Sequence, residues 1–250
     1  MLFLCNMLNA KNYFNTDNDI YRHIFKKTEY VWEGLNNIIP YLENFLTPNI
    51  QKLKRNDTLV KETLKLKNGA LIQAGAYIRG DNIDLGDGVT VEPGAFIKEP
   101  VIIGQGTQIR QGAYVRGNVI TGRSCVIGHT TEIKNSVMLE ESKAGHFAYI
   151  GDSILGKVNL GAGTKLANLK ITGSTVKVKA DGKVYDTGLR KFGAILGDNV
   201  QTGCNSVTSP GTILSKNVML YPNTTARGYF KSGNIIKLRQ NLKEKNLKNG

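Results

Sequence analysis

Aliphatic side chains return every six residues through the middle of the chain, at Leu85, Val91, Ile97, Ile103, Ile109, Val115, Thr121, Ile127, Ile133 and Leu139, with Thr121 the one exception. The period resumes at Leu196, Thr202, Thr208, Leu214 and Leu220. A helix repeats every 3.6 residues and an alternating strand every 2, so neither produces this pattern. A six-residue period calls for short strands joined by tight turns, each strand turning one aliphatic side chain inward. Stacked coils then bury a continuous apolar column, each touching only its neighbours. Such turns need residues tolerant of positive φ. Of the 28 glycines, 24 lie between Gly69 and Gly211, and one directly follows each of Leu85, Ile103, Thr121 and Ile127. With only 6 prolines and no Gly-X-Y period, the glycine excess is not collagenous.

The rhythm breaks twice. From Leu139 to Ile150 the step is eleven, and Leu155 and Leu160 follow at steps of five. The stretch Leu169–Arg190 is too polar for a coil and reads as a loop (169–190) projecting from the repeat. Within it Val176, Val178 and Val184 flank Ala180-Asp181-Gly182, a hairpin turn signal. Functional residues gather on loops carried by rigid scaffolds, so both breaks are candidate site regions.

The flanks differ from the repeat. Residues 1–65 read as a helical segment: Asp19 is placed to cap a helix whose stripe is Ile20, Ile24, Val31, Leu35 and Ile38. Pro40 ends it and opens a second helix, with Trp32, Tyr41 and Phe45 packed beneath. The repeat domain is expected over 66–226. Residues 227–250 form a basic tail with seven Lys/Arg and one acidic residue, in which Ile235, Leu238 and Leu242 could share one face of a short helix.

Cys5, Cys125 and Cys204 are odd in number and far apart, so no disulfide framework follows. No apolar stretch is long enough to span a membrane. The apolar run Met1–Leu8 is interrupted by Asn6 and has no basic region before it, so no secretory leader is expected and a cytoplasmic location is the default. A net charge of +13 raises a nucleic-acid role, but no recognition motif supports it, and the basic tail interleaves only Tyr229 and Phe230.

The hexad resembles the left-handed parallel β-helix of the hexapeptide-repeat acyltransferases, in which three hexads make one triangular coil; the handedness comes from that resemblance. The block Lys143-Ala144-Gly145-His146-Phe147-Ala148-Tyr149-Ile150-Gly151-Asp152, followed by Asn159-Leu160-Gly161-Ala162-Gly163-Thr164 and Asn168, makes it more specific. It is similar to the acetyltransferase domain of the bifunctional N-acetylglucosamine-1-phosphate uridyltransferase/glucosamine-1-phosphate acetyltransferases. The stretch Asp186–Ala194 looks more like the archaeal-type sugar-1-phosphate nucleotidylyltransferase/acetyltransferases. The resemblance covers roughly residues 70 to 215.

Acetyl transfer to an amine requires the free base, and a neutral imidazole can accept its proton near pH 7. His146 is the candidate base; His129 and His23 lack its context and read as structural. By position in the motif, Arg116 and Lys134 match the family's phosphate- and sugar-contacting cations. The resemblance likewise gives substrate-contacting roles to Tyr149, Asn159, Asn168 and Lys191. The implied cofactor is acetyl-CoA, lying along the helix exterior near Ala162, Cys204 and Tyr221. Here the chain departs from the family, which commonly has serine at Cys204 and a small Ala-Gly pair at Tyr221-Pro222. Cys204 is open to two readings, a small neutral neighbour of the cofactor or a catalytic thiol.

The resemblance therefore implies an acetyl-CoA-dependent N-acetyltransferase acting on an amino-sugar phosphate such as glucosamine-1-phosphate, feeding UDP-N-acetylglucosamine and other nucleotide sugars. It also implies a homotrimer with sites between subunits. Alternative readings are an acyltransferase on a nucleotide-linked amino sugar and a non-catalytic trimeric scaffold of the same descent. No G-x-G-T/S-R-x-x-P-type phosphate loop precedes residue 65, so nucleotidyl transfer is not expected. The two histidines of the repeat do not supply the three zinc ligands of a γ-type carbonic anhydrase, and no metal is expected.

Overall fold

The computed structural model describes residues 7–50 and 58–244; Cys5, and with it most of the apolar run from Met1, lies outside the described residues. From Thr58 to Ile236 the chain winds through strands of two to four residues that form three long sheets. In one coil Val126–His129 lies on face I, Glu132–Lys134 on face II and Ser136–Met138 on face III. Every pairing within the stack is parallel. The opening strands, Thr58–Leu59 and Leu64–Lys65, are the exception in the three long sheets of the described residues: they pair antiparallel and close that end of the stack. The strands run on past residue 226, to Tyr229–Phe230 on face III and Ile235–Ile236 on face I. Ile235 is therefore part of a strand, not of a helix face.

Each face turns one column inward. Face II stacks Ile97, Val115, Ile133, Ile150 and Leu166 in register, and face I stacks Val91, Ile109, Ile127, Ala144 and Leu160. These residues are all at most 4% exposed. Face III departs from the sequence reading. Thr121 pairs with Met138, not Leu139, so this coil is one residue short of three hexads. Met138 joins the interior column, while Leu139 packs outside it. The rhythm thus breaks one step earlier than the aliphatic spacing indicates. The shortening falls at the corner between faces II and III, where Asn135 and Asp152 take positive φ, 44° and 48°. Asn and Asp tolerate this left-handed turn better than other non-glycine residues.

Face III is apolar on its outer side too. Ile120, Val137, Ile154, Ile195 and Ile213 are fully buried there, beneath Phe14, Phe25, Trp32, Leu35 and Leu42 of the N-terminal segment. That segment is Asp19–Ile24 (helical), Val31–Asn37 (3-10) and Ile38–Phe45 (helical), so the expected single stripe is divided among three elements. Asn18, not Asp19, caps the first helix by accepting the Tyr21 N–H. Pro40 falls in the first turn of the last helix, where its missing N–H costs nothing. Trp32 is 3% exposed, whereas Phe45 remains at the surface against His23 and Tyr41. Lys177–Ala180 and Lys183–Asp186 form a hairpin turned by Asp181 and Gly182, both with positive φ. Its Val176, Val178 and Ala180 join the cluster over face III, and Tyr185 meets the Tyr30 and Trp32 rings. The inserted loop is therefore held both by face III of the solenoid and by the N-terminal segment.

Burial without alternatives for repacking makes the column sensitive to truncation. Ile133→Ala is expected to lower stability by about 2–5 kcal/mol, read from the midpoint of urea unfolding at unchanged slope. An unchanged midpoint would contradict the inward placement of this column.

Candidate functional site

The tightened II–III corner stacks polar side chains from successive coils. Lys134 ends its strand on face II, and Asp152 turns the same corner one coil later. The Lys134 Nζ donates to Asp152 Oδ2 at 2.8 Å, with the two side chains 17% and 6% exposed. Asn135 Nδ2 donates to Asp152 Oδ1 at 2.8 Å, and Asn168 Nδ2 donates to Asp152 Oδ2. Asn168 belongs to the third coil, and the insertion leaves and returns beside it: Leu169 bridges Lys191, and the Phe192 N–H donates to the Asn168 carbonyl. Asp152 is thus the hub of a three-coil polar cluster.

The outer side of face II supplies the rest. Tyr114, Glu132, Tyr149 and Lys165 share one register column. Arg116 Nη1 donates to Glu132 Oε1, and the same guanidinium lies over the Tyr114 ring, 5.7 Å from its centre. The Tyr149 hydroxyl donates to Asn168 Oδ1 at 3.4 Å. Gly151 leaves room for this approach, because a Cβ there would lie 2.7 Å from both the Tyr149 hydroxyl and Asn168 Nδ2. Burial, then the Glu132 and Asp152 carboxylates, push the Tyr149 hydroxyl above its ordinary range against the opposing pull of Arg116. The Glu132 hydrogen bond holds Arg116 in its charged form.

The corner between faces I and II carries a different column. Amide-to-carbonyl bonds link Thr130 to Gln111, Phe147 to His129, Gly163 to His146, Asn205 to Ala162 and Asn223 to Cys204. Gln111, His129, His146, Ala162 and Cys204 therefore stand one above another along the edge. His146 is exposed, and Tyr149 follows three residues later on face II. Gly128 makes the edge continuous, since a Cβ there would overlap the Gly145 carbonyl. Gly161 and Gly203 keep the next two levels flat for the same reason.

Of the residues singled out from sequence, Arg116, Lys134, Tyr149 and Asn168 meet in one cluster, with Lys191 beside it. His146, Ala162 and Cys204 line the adjoining edge. Asn159 lies apart on face I, in register with Lys143 and Gln201. Tyr221 sits farther along, its ring under the Lys237 ammonium at 4.6 Å. Sequence reasoning passed over Glu132, Asn135 and the central role of Asp152. Asn135 and Asp152 could have been placed at a corner turn by their tolerance of positive φ, though not paired across coils, and Glu132 carries no such local signal. Among the described residues no group of three or more His, Cys, Asp or Glu side chains could hold a metal ion, and no helix is long and apolar enough to cross a membrane.

Asp152 and Lys134 form a pair withdrawn from water, and removing one charge strands the other. Asp152→Ala is expected to cost about 3 kcal/mol or more in urea unfolding. Glu140→Ala, which breaks the exposed Arg123 pair, should cost far less. Equal losses would remove Asp152 from the centre of the cluster.

The model of the GMPPB C-terminal domain matches residues 97–187. A bifunctional sugar-1-phosphate nucleotidylyltransferase/acetyltransferase from Sulfurisphaera tokodaii is 39% identical over 113 residues, covering 45% of this chain and 28% of that protein. The bifunctional protein GlmU of Methanococcus maripaludis is 41% identical over 97 residues, covering 38% of this chain and 23% of that protein. The Synechococcus protein of the same name is 34% identical over 175 residues, covering 62% and 31%. The chain thus spans 23% to 31% of the length of these relatives. A GDP-perosamine N-acetyltransferase from Caulobacter crescentus, solved with CoA and GDP-perosamine, is 19% identical with a TM-score of 0.29, covering 64% of this chain and 53% of that one. The solenoid, with three stacked faces and a six-residue repeat, is thus similar over part of its length to bifunctional sugar-1-phosphate nucleotidylyltransferase/acetyltransferases.

Proposed function

We propose that the chain transfers an acetyl group from acetyl-CoA to the amine of an amino-sugar phosphate such as glucosamine-1-phosphate. The observation that carries this reading is the mixed charge of the cluster on face II. Arg116 is already paired with Glu132, and Lys134 with Asp152. A pure anion would meet a carboxylate beside each of these two cations. An amino-sugar phosphate carries both signs: its phosphate suits Arg116 and Lys191, its ammonium suits Glu132 or Asp152, and its hydroxyls suit Tyr149 and Asn168. Arg116 offers a planar fork for phosphate oxygens, which lysine does not.

His146, exposed on the edge beside this face, is the base that takes a proton from the attacking amine. The flat levels at Gly161–Ala162 and Gly203–Cys204 fit a pantetheine arm laid along the same edge. Acetyl-CoA would supply there the thioester carbonyl that the amine attacks. The single edge of one chain leaves such a site open on one side, which is the ground for reading the active form as a trimer with sites between subunits. The acceptor and cofactor named on the distant relatives support an acyl transfer to a sugar in general terms.

The test is transfer of labelled acetyl from acetyl-CoA to glucosamine-1-phosphate, its isomers and nucleotide-linked amino sugars. His146→Ala should lower kcat by about 10²-fold or more with little change in fold. Retention of full activity by that variant, or no transfer by the wild-type chain, sinks the mechanism.

A second measurement reads the cofactor edge without an acceptor. Burial pushes the Cys125 thiol up to about 12, whereas Cys204 is exposed. A thiol reagent followed by peptide mapping should label Cys204 in the folded protein and Cys125 only after unfolding. CoA should slow the labelling of Cys204. Labelling unaffected by saturating CoA would remove the cofactor from this edge.

A further inference from the structure

His129 stands one coil before His146, and the two are register partners at the ends of parallel strands. Paired parallel strands lie about 4.8 Å apart, so two imidazoles leave the same edge at adjacent levels. Their surroundings differ. His129 Nδ1 lies 2.9 Å from the Gln111 carbonyl oxygen. A carbonyl only accepts, so that partner assigns the proton of the neutral ring to Nδ1 and leaves the Nε2 lone pair free. The Phe147 ring meets the imidazole edge-on at 5.2 Å and holds its plane. Nothing comparable fixes His146 among the described residues. The group read from sequence as structural is therefore the better-oriented base of the two.

The chemistry has work for both. At neutral pH an amino sugar binds as its ammonium, and its conversion is R–NH3+ plus acetyl-S-CoA giving R–NH-acetyl, HS-CoA and one H+. Two N–H bonds break. One proton must leave before attack, because an ammonium has no lone pair. The second leaves as the C–N bond forms and the C–S bond breaks.

We propose that His129 is a second proton acceptor of this site. Its Nε2 takes the ammonium proton of the bound acceptor and passes it to solvent. His146 then removes the second proton from the attacking amine and returns it to the departing thiolate. The proposal rests on the acetyl-transfer reading above. The titratable groups around this edge are His146 in the next coil, Lys165 whose ammonium donates to the Gly163 carbonyl, Arg110 and Glu92 in the coils before, and Glu132 beyond the corner. The Glu92 carboxylate accepts from the Gln111 N–H and so steadies the carbonyl that orients His129.

The experiment is the pH dependence of kcat/KM for glucosamine-1-phosphate, compared among wild type, His129→Gln, His129→Ala and His146→Gln, with folding checked by circular dichroism. The acceptor's amine, taken near the α-amino value of about 8, is largely free by pH 9. His129→Gln should lose roughly tenfold or more at pH 6.5 yet stay within about twofold of wild type at pH 9. Added imidazole should restore His129→Ala at the lower pH alone. His146→Gln should fail at both. An equal loss at both pH values gives His129 a structural role, and no loss makes it a bystander; either overturns the proposal while acetyl transfer stands. A wild-type chain that acetylates no amino sugar overturns the acetyl-transfer reading and this proposal with it.

Discussion

The parallel ladder sets everything else in this molecule. Because each strand pairs only with its counterpart one coil away, a residue's position around the coil fixes its neighbours above and below. Inward aliphatic columns hold the register, since a slip of one residue would exchange the buried side for the exposed one. Chemistry is then placed by counting. Glu132 meets Tyr149, and His129 meets His146, because each pair occupies the same level position in consecutive coils. Glycines such as Gly128 and Gly161 matter where the backbones of two coils touch and no side chain fits.

The site arises where that order is relaxed. Taking one residue out at Asn135 and again at Asp152 tightens two successive turns, and the Asp152 carboxylate is drawn under Lys134, Asn135 and Asn168. The insertion leaves from the same corner one coil later, so its return strand delivers Lys191 to the same place. Two kinds of irregularity, a shortening and an insertion, thus converge on one corner while the I–II edge keeps its regular step.

Much of this was legible in the residues. The six-residue period gave the stacked coils, and Ala180-Asp181-Gly182 gave the hairpin. The shift from Leu139 to Met138 was not legible, because both side chains are aliphatic in size and character and only pairing with Thr121 decides between them. The N-terminal stripe was visible as a period but not as three elements. Its partner, the outer side of face III, is apolar at Ile120, Val137, Ile154 and Ile195, positions that alternate with the inward column and so look like one broad apolar run. Of the site, the cations and amides could be read from the motif. The carboxylates could not, because Glu132 and Asp152 matter through cross-coil neighbours that sit sixteen to eighteen residues away in sequence.

Those carboxylates also settle where the chain's positive charge does not lie. Arg116 and Lys134 looked like part of a surplus of +13, yet each is matched by an acid at hydrogen-bonding distance. A polyanion such as nucleic acid gains by releasing counterions from unpaired cations, and at this cluster it would first have to displace two carboxylates. A small molecule bearing one anion and one cation exchanges partners without leaving any of the four protein charges alone. In the proposed function the cluster selects by the arrangement of charge and not by its sum, because Arg116 and Lys134 are each paired with an acid.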